Sequence, residues 1–182
     1  MPIIEFHPAT RDESEIVLKR IDSLLGEDVG KNVTNKMEIV IARGKRTELF
    51  LVPDKVMDAF RCTQGKRNPY CLGIYLGDLK NNELLLSIEG VSLCSPFTRN
   101  KVKVTDNGEQ AVLYGRNLTR ALIDYFSTSI SKGDKVVIVN KLDETLALGK
   151  ALLDNDRFRD VDKTKYVVEN IVDRGWYLRK GT

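Results

Sequence analysis

A single histidine, three cysteines and one tryptophan in 182 residues leave little from which a titratable catalytic centre could be assembled. His7 lies ahead of the first helical pattern and beside Pro8, a setting that does not suit a general base, and is expected to be an ordinary terminal residue. Cys62, Cys71 and Cys94 contain no Cys-x-x-Cys pair and are odd in number. They are expected to be reduced thiols in a reducing interior, buried as small hydrophobes, with neither a disulfide framework nor a zinc site. No histidine follows any of them, so a cysteine–histidine nucleophile cannot be built. Long apolar runs are missing too. Leu84-Leu85-Leu86 and the run from Val136 to Val139 fall far short of the roughly 20 residues a membrane helix needs. Met1 to Thr10 lacks the basic-then-apolar layout of a secretory leader, so a soluble chain with no membrane partner is expected and the Asn-x-Thr triplets at Asn32 and Asn117 carry no meaning.

Signatures for nucleotides and metals are also absent. Gly65-Lys66 has no glycine five positions earlier, and Arg67 stands where a phosphate loop needs a hydroxyl residue. Asp154, Asp156, Asp160 and Asp162 lack the mid-loop glycine and terminal glutamate of a calcium loop and are expected to form a solvated hairpin loop. Gly73 and Gly77 lie in hairpin contexts rather than at a strand-to-helix phosphate turn. No cofactor, metal or small-molecule substrate is expected.

What is present is a globular composition, 42% hydrophobic and 30% charged, with 29 basic and 26 acidic side chains. Residues 10–26 carry Val17, Leu18, Ile21, Leu24 and Leu25 on one helical face, with Thr10 and Glu13 as a capping box and Gly26 as a stop. Met37–Ile41 and Glu48–Val52 flank a Gly44-containing turn and predict a hairpin. Pro53, Val56, Met57 and Phe60 predict a short helix with Pro53 at its first position. Cys71–Gly77, a polar turn Asp78–Glu83, and Leu84–Ile88 predict a second hairpin. The pattern breaks near Cys94–Thr98. Beyond it, strands are expected at Val102–Val104, Val136–Val139, Leu146–Leu153, Tyr166–Val172 and Trp176–Leu178, with a short helix at Glu109–Tyr114. Many short strands separated by glycines describe a small, strongly curved β domain.

Charge divides at the same place: residues 1–98 hold 13 basic and 14 acidic side chains, residues 99–182 hold 16 and 12. The cationic excess gathers at Arg116 and Arg120, Arg157 and Arg159, Lys165, and Arg174, Arg179 and Lys180 around Trp176 and Tyr177. Arginine and lysine suit phosphate, and exposed aromatic rings suit unpaired bases, so these eight cations form the candidate RNA-binding set. The turns bearing Arg43, Lys45 and Arg46 and Arg61, Lys66 and Arg67 are candidates for extending it.

The run Gly108-Glu109-Gln110-Ala111-Val112-Leu113-Tyr114-Gly115, then Lys132–Val139, Leu146–Ala151, Val167–Asp173 and Gly175–Arg179, resembles a PUA domain, the small RNA-binding β-barrel of pseudouridine synthases and archaeosine transglycosylases. Nearly the whole chain resembles the archaeal form of the Nip-seven family of ribosome-biogenesis proteins, with the Phe50-Leu51-Val52 and Cys71-Leu72-Gly73 strands falling in the N-terminal part. The resemblance implies an α+β fold with two domains: residues 1–96, an α/β domain with an antiparallel sheet and flanking helices, and residues 97–182, the PUA barrel. It further implies a non-catalytic factor for large-subunit assembly whose partner is ribosomal RNA or a pre-ribosomal particle. Its expected location is cytoplasmic in an archaeal setting and nucleolar in a eukaryotic one. PUA domains usually carry a glycine on the strand after the first helix, where backbone approaches RNA. Here that stretch reads Arg120-Ala121-Leu122-Ile123, which shifts the expected contact to side chains near the terminus. Two alternatives stay open: a PUA-targeted RNA-modification protein, and an adaptor whose N-terminal domain docks an assembly factor or RNA-degradation machinery.

Overall fold

The computed structural model describes residues 5–63, 69, 71–81 and 83–179, the side chain of residue 178 excepted. It divides into two compact units, Met1–Ser23 with Glu27–Phe97, and Leu24–Gly26 with Thr98–Thr182.

The first unit is a five-stranded antiparallel sheet in sequential order: β1 (Glu5–Pro8), β2 (Met37–Arg43), β3 (Thr47–Pro53), β4 (Ile74–Lys80) and β5 (Glu83–Leu86). The expected helix is α1 (Arg11–Leu25). Its capping box is made in both directions, Thr10 N to Glu13 Oε2 at 2.8 Å and Glu13 N to Thr10 Oγ1 at 3.3 Å, so two otherwise orphaned donors are satisfied. Gly26 ends it at φ 111°. Ile39, Val40, Ile41 and Ala42 of β2 are all buried, which explains the unbroken apolar run: both faces of this strand are covered. On one of them Val40, Ala42, Phe50 and Val52 meet Met57 and Phe60 of α3 (Asp54–Thr63).

Three details depart from expectation. Pro53 pairs with Met37 as the last residue of β3, and the helix opens at Asp54. The Asp78–Glu83 stretch is mostly strand, because β4 continues to Lys80 and the chain reverses at Asn81, φ 50°. Two short helices were not foreseen, α2 (Val29–Val33) and α4 (Ile88–Cys94). In α4, Ser87 caps the Gly90 N–H at 2.9 Å, and Ile88, Val91 and Cys94 are buried at helical spacing. Replacing Ser87 by alanine is expected to cost about 1 kcal/mol, read as a lowered urea midpoint with an unchanged slope.

The cysteine expectation needs correction: Cys94 is buried, but Cys62 and Cys71 are exposed, on the end of α3 and in the loop before β4. Burial pushes the Cys94 thiol up to about 12, with the Asp22 carboxylate adding to the shift. It therefore stays protonated and unreactive at pH 8. A colorimetric thiol titration of the native chain at that pH is expected to find two fast equivalents, and a third only in denaturant.

The second unit is a six-stranded sheet in the order β7 (Leu118–Thr119), β11 (Tyr166–Asp173), β10 (Thr145–Ala151), β9 (Lys135–Val139), β6 (Lys101–Val104) and β8 (Ile123–Phe126). All pairs are antiparallel except β6 with β9. The two terminal strands, β7 and β8, are consecutive in the chain and joined by a single 3-10 turn, Arg120–Leu122. That connection draws the sheet's two edges together into a nearly closed barrel. Its interior is filled by Val102, Val104, Leu118, Ile138, Leu146, Val167 and their neighbours. The expected Trp176–Leu178 strand is instead the start of a helical turn, α6 (Trp176–Arg179). No helix among the described residues is long and apolar enough to cross a membrane.

Candidate nucleic-acid interface

The interface is built where α5 (Asp106–Leu113) ends. Thr105 caps this helix through the Gly108 N–H at 3.0 Å, and the same Gly108 lets the Leu122 carbonyl lie against the helix where a β-carbon would overlap it. The Arg120-Ala121-Leu122 stretch thus forms the 3-10 turn and is used internally, pressed against α5. At the other end Arg116 N donates to Ala111 O at 2.9 Å and Gly115 N to Val112 O at 2.8 Å, with Gly115 at φ 75°. These two bonds around a left-handed glycine make a Schellman stop. It throws Tyr114 and Arg116 outward: Tyr114 is 70% exposed, and the Arg116 guanidinium lies 5.9 Å from its ring centre.

The chain returns to the same place after β11. Asn170 Nδ2 donates to Val112 O at 3.1 Å, and the Arg179 guanidinium donates to Leu113 O and to both oxygens of Asp173 at 2.9 and 3.0 Å. The last carbonyls of α5 are capped by groups from the terminal segment, and a cation sits at the negative end of the helix. Gly175 completes this clasp, since a β-carbon there would overlap Leu113 O. Trp176 and Tyr177, rings 5.3 Å apart and edge to face, are 45% and 56% exposed. Trp176 is therefore not a core anchor.

β7 is the edge strand that leads away from this corner, and Arg116 and Arg120 flank it. Opposite, Tyr166 pairs with Thr119 and is 58% exposed, and Arg120 N bonds Lys165 O at 3.0 Å. Arg120 Nε donates to Phe158 O at 2.9 Å, and its guanidinium lies 5.6 Å from the Phe158 ring centre.

The eight expected cations thus separate by role. Arg116 and Lys165 are exposed at the two ends of β7, and Arg120, half-buried, follows it with its guanidinium held on Phe158. Arg157 and Arg159 are exposed on the β10–β11 connection. Arg174 turns back on its own barrel, its Nε donating to Thr145 O at 2.6 Å. Arg179 holds the clasp, and Lys180 lies outside the described residues. What the sequence did not single out is Tyr114 and Tyr166, whose exposure depends on the Schellman stop and on an edge strand of two residues. In the first unit the basic turns are matched by acids: Arg43 to Glu13 at 2.7 Å, Arg46 to Asp78 at 3.4 Å, and Arg61 to Glu38 at 2.7 Å. Lys66 and Arg67 lie outside the described residues.

Two family models match, the NIP7/UPF0113 pre-PUA domain over residues 6–88 and the UPF0113 PUA domain over residues 100–182. The chain belongs to the NIP7/UPF0113 family. Among its relatives, a UPF0113 protein of Archaeoglobus fulgidus is 28% identical over 141 residues, 78% of each chain. The 60S ribosome subunit biogenesis protein NIP7 of Saccharomyces cerevisiae is 25% identical over 171 residues, 93% of this chain and 94% of the yeast protein. A conserved PUA domain protein of Thermoplasma acidophilum matches in structure with a TM-score of 0.64 at 16% identity, covering 97% of this chain and 99% of that one, which shows a shared fold. In this NIP7/UPF0113 chain the second unit is the PUA unit and the first the pre-PUA unit.

Proposed function

We propose that the chain is a non-catalytic RNA-binding factor of large ribosomal subunit assembly, and that its PUA unit contacts ribosomal RNA along the β7 edge. The observation that carries this is the pairing of exposed cations with exposed rings around β7: Arg116 with its guanidinium 5.9 Å from the Tyr114 ring centre, and Lys165 next to Tyr166, which pairs with Thr119. Cations hold the backbone and rings offer stacking faces to unpaired bases, the combination single-stranded RNA requires. Relatives named as 60S biogenesis proteins, matching over nearly their whole length, support the assembly role. RNA contact is assigned to the PUA unit, where Arg116 and Lys165 are exposed beside aromatic rings, whereas Arg43, Arg46 and Arg61 of the pre-PUA unit each face an acid.

Arg174 and Arg179 brace the surface: their guanidiniums are spent on Thr145 O, Leu113 O and Asp173. The test is sedimentation of the affinity-tagged full chain from its own cells. It is expected to travel with large-subunit precursors and to leave before the mature subunit. Sedimentation only at the top of the gradient, in cells actively making ribosomes, would contradict the assembly role.

A further inference from the structure

A second feature of the PUA unit lies beside β8, the strand that the Arg120–Leu122 turn joins to β7. A cavity of about 400 Å³ is lined there by Asp124, Tyr125, Asn155, Asp156, Phe158 and Arg159, among others, large enough for a small organic group. Its construction is specific. In the β6–β8 ladder Tyr125 pairs with Lys103 and Ile123 with Val104, so Asp124 is an extra, unpaired residue in β8. Such a bulge re-aims side chains and recurs next to binding sites. It leaves Asp124 and Tyr125, neighbours in sequence, both exposed and both on the cavity. The opposite wall is fixed: Phe158 stacks on Phe126 with ring centres 4.7 Å apart and planes within 10°, and is held again by the Arg120 contacts.

We propose that this cavity takes a single unpaired guanine base of a bound RNA. The inference rests on the RNA-binding function proposed above and adds a base preference to it. Tyr125, 51% exposed, supplies a ring on which a base can stack. Asp124 and Asp156 supply carboxylates, which only accept hydrogen bonds. Guanine alone among the four bases presents two adjacent donors, N1–H and the N2 amino group, on its Watson–Crick edge. Uracil places carbonyl oxygens on both sides of its N–H, and adenine and cytosine place a bare ring nitrogen beside their amino group, so a carboxylate meets a repelling lone pair in each. Arg159 stands at the rim, where the phosphate of the same nucleotide offsets its charge.

The experiment is anisotropy titration of the full chain with labelled (UG)6 and (UA)6 single strands. Wild type is expected to bind (UG)6 at least about tenfold more tightly, the discrimination one bidentate base contact provides. The double variant Asp124→Asn/Asp156→Asn is expected to bind both RNAs alike, and Tyr125→Ala to weaken (UG)6 about tenfold. Equal wild-type affinities, or a preference that survives the double variant, would overturn the guanine pocket and leave the β7 surface standing. Failure of wild type to bind either strand would overturn the RNA-binding function and this inference with it.

Discussion

Removing Arg116 and Lys165 together, as Arg116→Ala/Lys165→Ala, is expected to weaken binding of a uridine-rich 12-mer by about 100-fold at low salt. Both side chains are exposed and neither contributes a core contact, so the fold survives their loss. Arg116 follows the Schellman stop of α5, and Lys165 precedes β11 where Lys165 O accepts from Arg120 N, which places one cation toward each end of β7. A charge-assisted contact to phosphate contributes enough for about a tenfold change in affinity. Two such contacts also change the salt dependence: the magnitude of the log–log slope is expected to fall by about 1.4 for single-stranded RNA. The slope separates this account from a folding defect, which would lower the active fraction and leave the slope alone. Arg120→Ala is a poorer probe, because it also removes the bond to Phe158 O that fixes the barrel's far wall.

The second large effect is on stability. Gly175→Ala is expected to destabilise the PUA unit by about 3 kcal/mol, the upper range for forcing an extra carbon into a packed site. The new methyl would overlap Leu113 O, the carbonyl that Arg179 also caps. To relieve the overlap the terminal turn must lift from α5, and with it go the Arg179–Asp173 pair and the placement of Trp176 and Tyr177. For a unit of this size the midpoint is expected to fall by more than about 10 °C. Gly133→Ala is the control. Gly133, unlike Gly175, has a left-handed backbone, φ 98°, but nothing lies within 4 Å of its missing β-carbon, so only the conformational penalty of about 1 kcal/mol remains. If the two variants melt together, the clasp does not hold the terminal turn.

The elements that were legible in the sequence are those whose cause is local. Thr10 and Glu13 announce α1 because the capping box needs only four consecutive residues. The β2 and β3 runs announce themselves because covering both faces demands unbroken apolar residues. Helix α4 was not legible: Leu84–Ile88 reads as strand, and the Ser87 cap with Ile88, Val91 and Cys94 at helical spacing lies against the composition break. The terminal turn was not legible. Trp176-Tyr177-Leu178 favours strand by propensity, and what makes it helical is distant in sequence: Gly175 seated on Leu113, and Arg179 drawn to Asp173 and the end of α5.

The site divides in the same way. Eight cations were visible as composition, and the fold sets Arg116 beside Tyr114 and Lys165 next to Tyr166 at the two ends of β7. Their roles were not visible, since an arginine that binds phosphate and one that caps a helix read alike. Arg179 differs from Arg116 in having Asp173, 6% exposed, and the Leu113 carbonyl within reach. The bulge at Asp124 was invisible for a related reason: an extra residue in a strand is defined by its partner strand, and Val102–Val104 gives no sign of the mismatch.

The most direct test of the central claim is ultraviolet crosslinking of the full chain to RNA in large-subunit precursor particles, with the crosslinked peptides identified by mass spectrometry. The account predicts crosslinks at Tyr114, Tyr166, Trp176 or Tyr177, within the peptides that border β7. Crosslinks confined to the pre-PUA unit, residues 6–88, would contradict it.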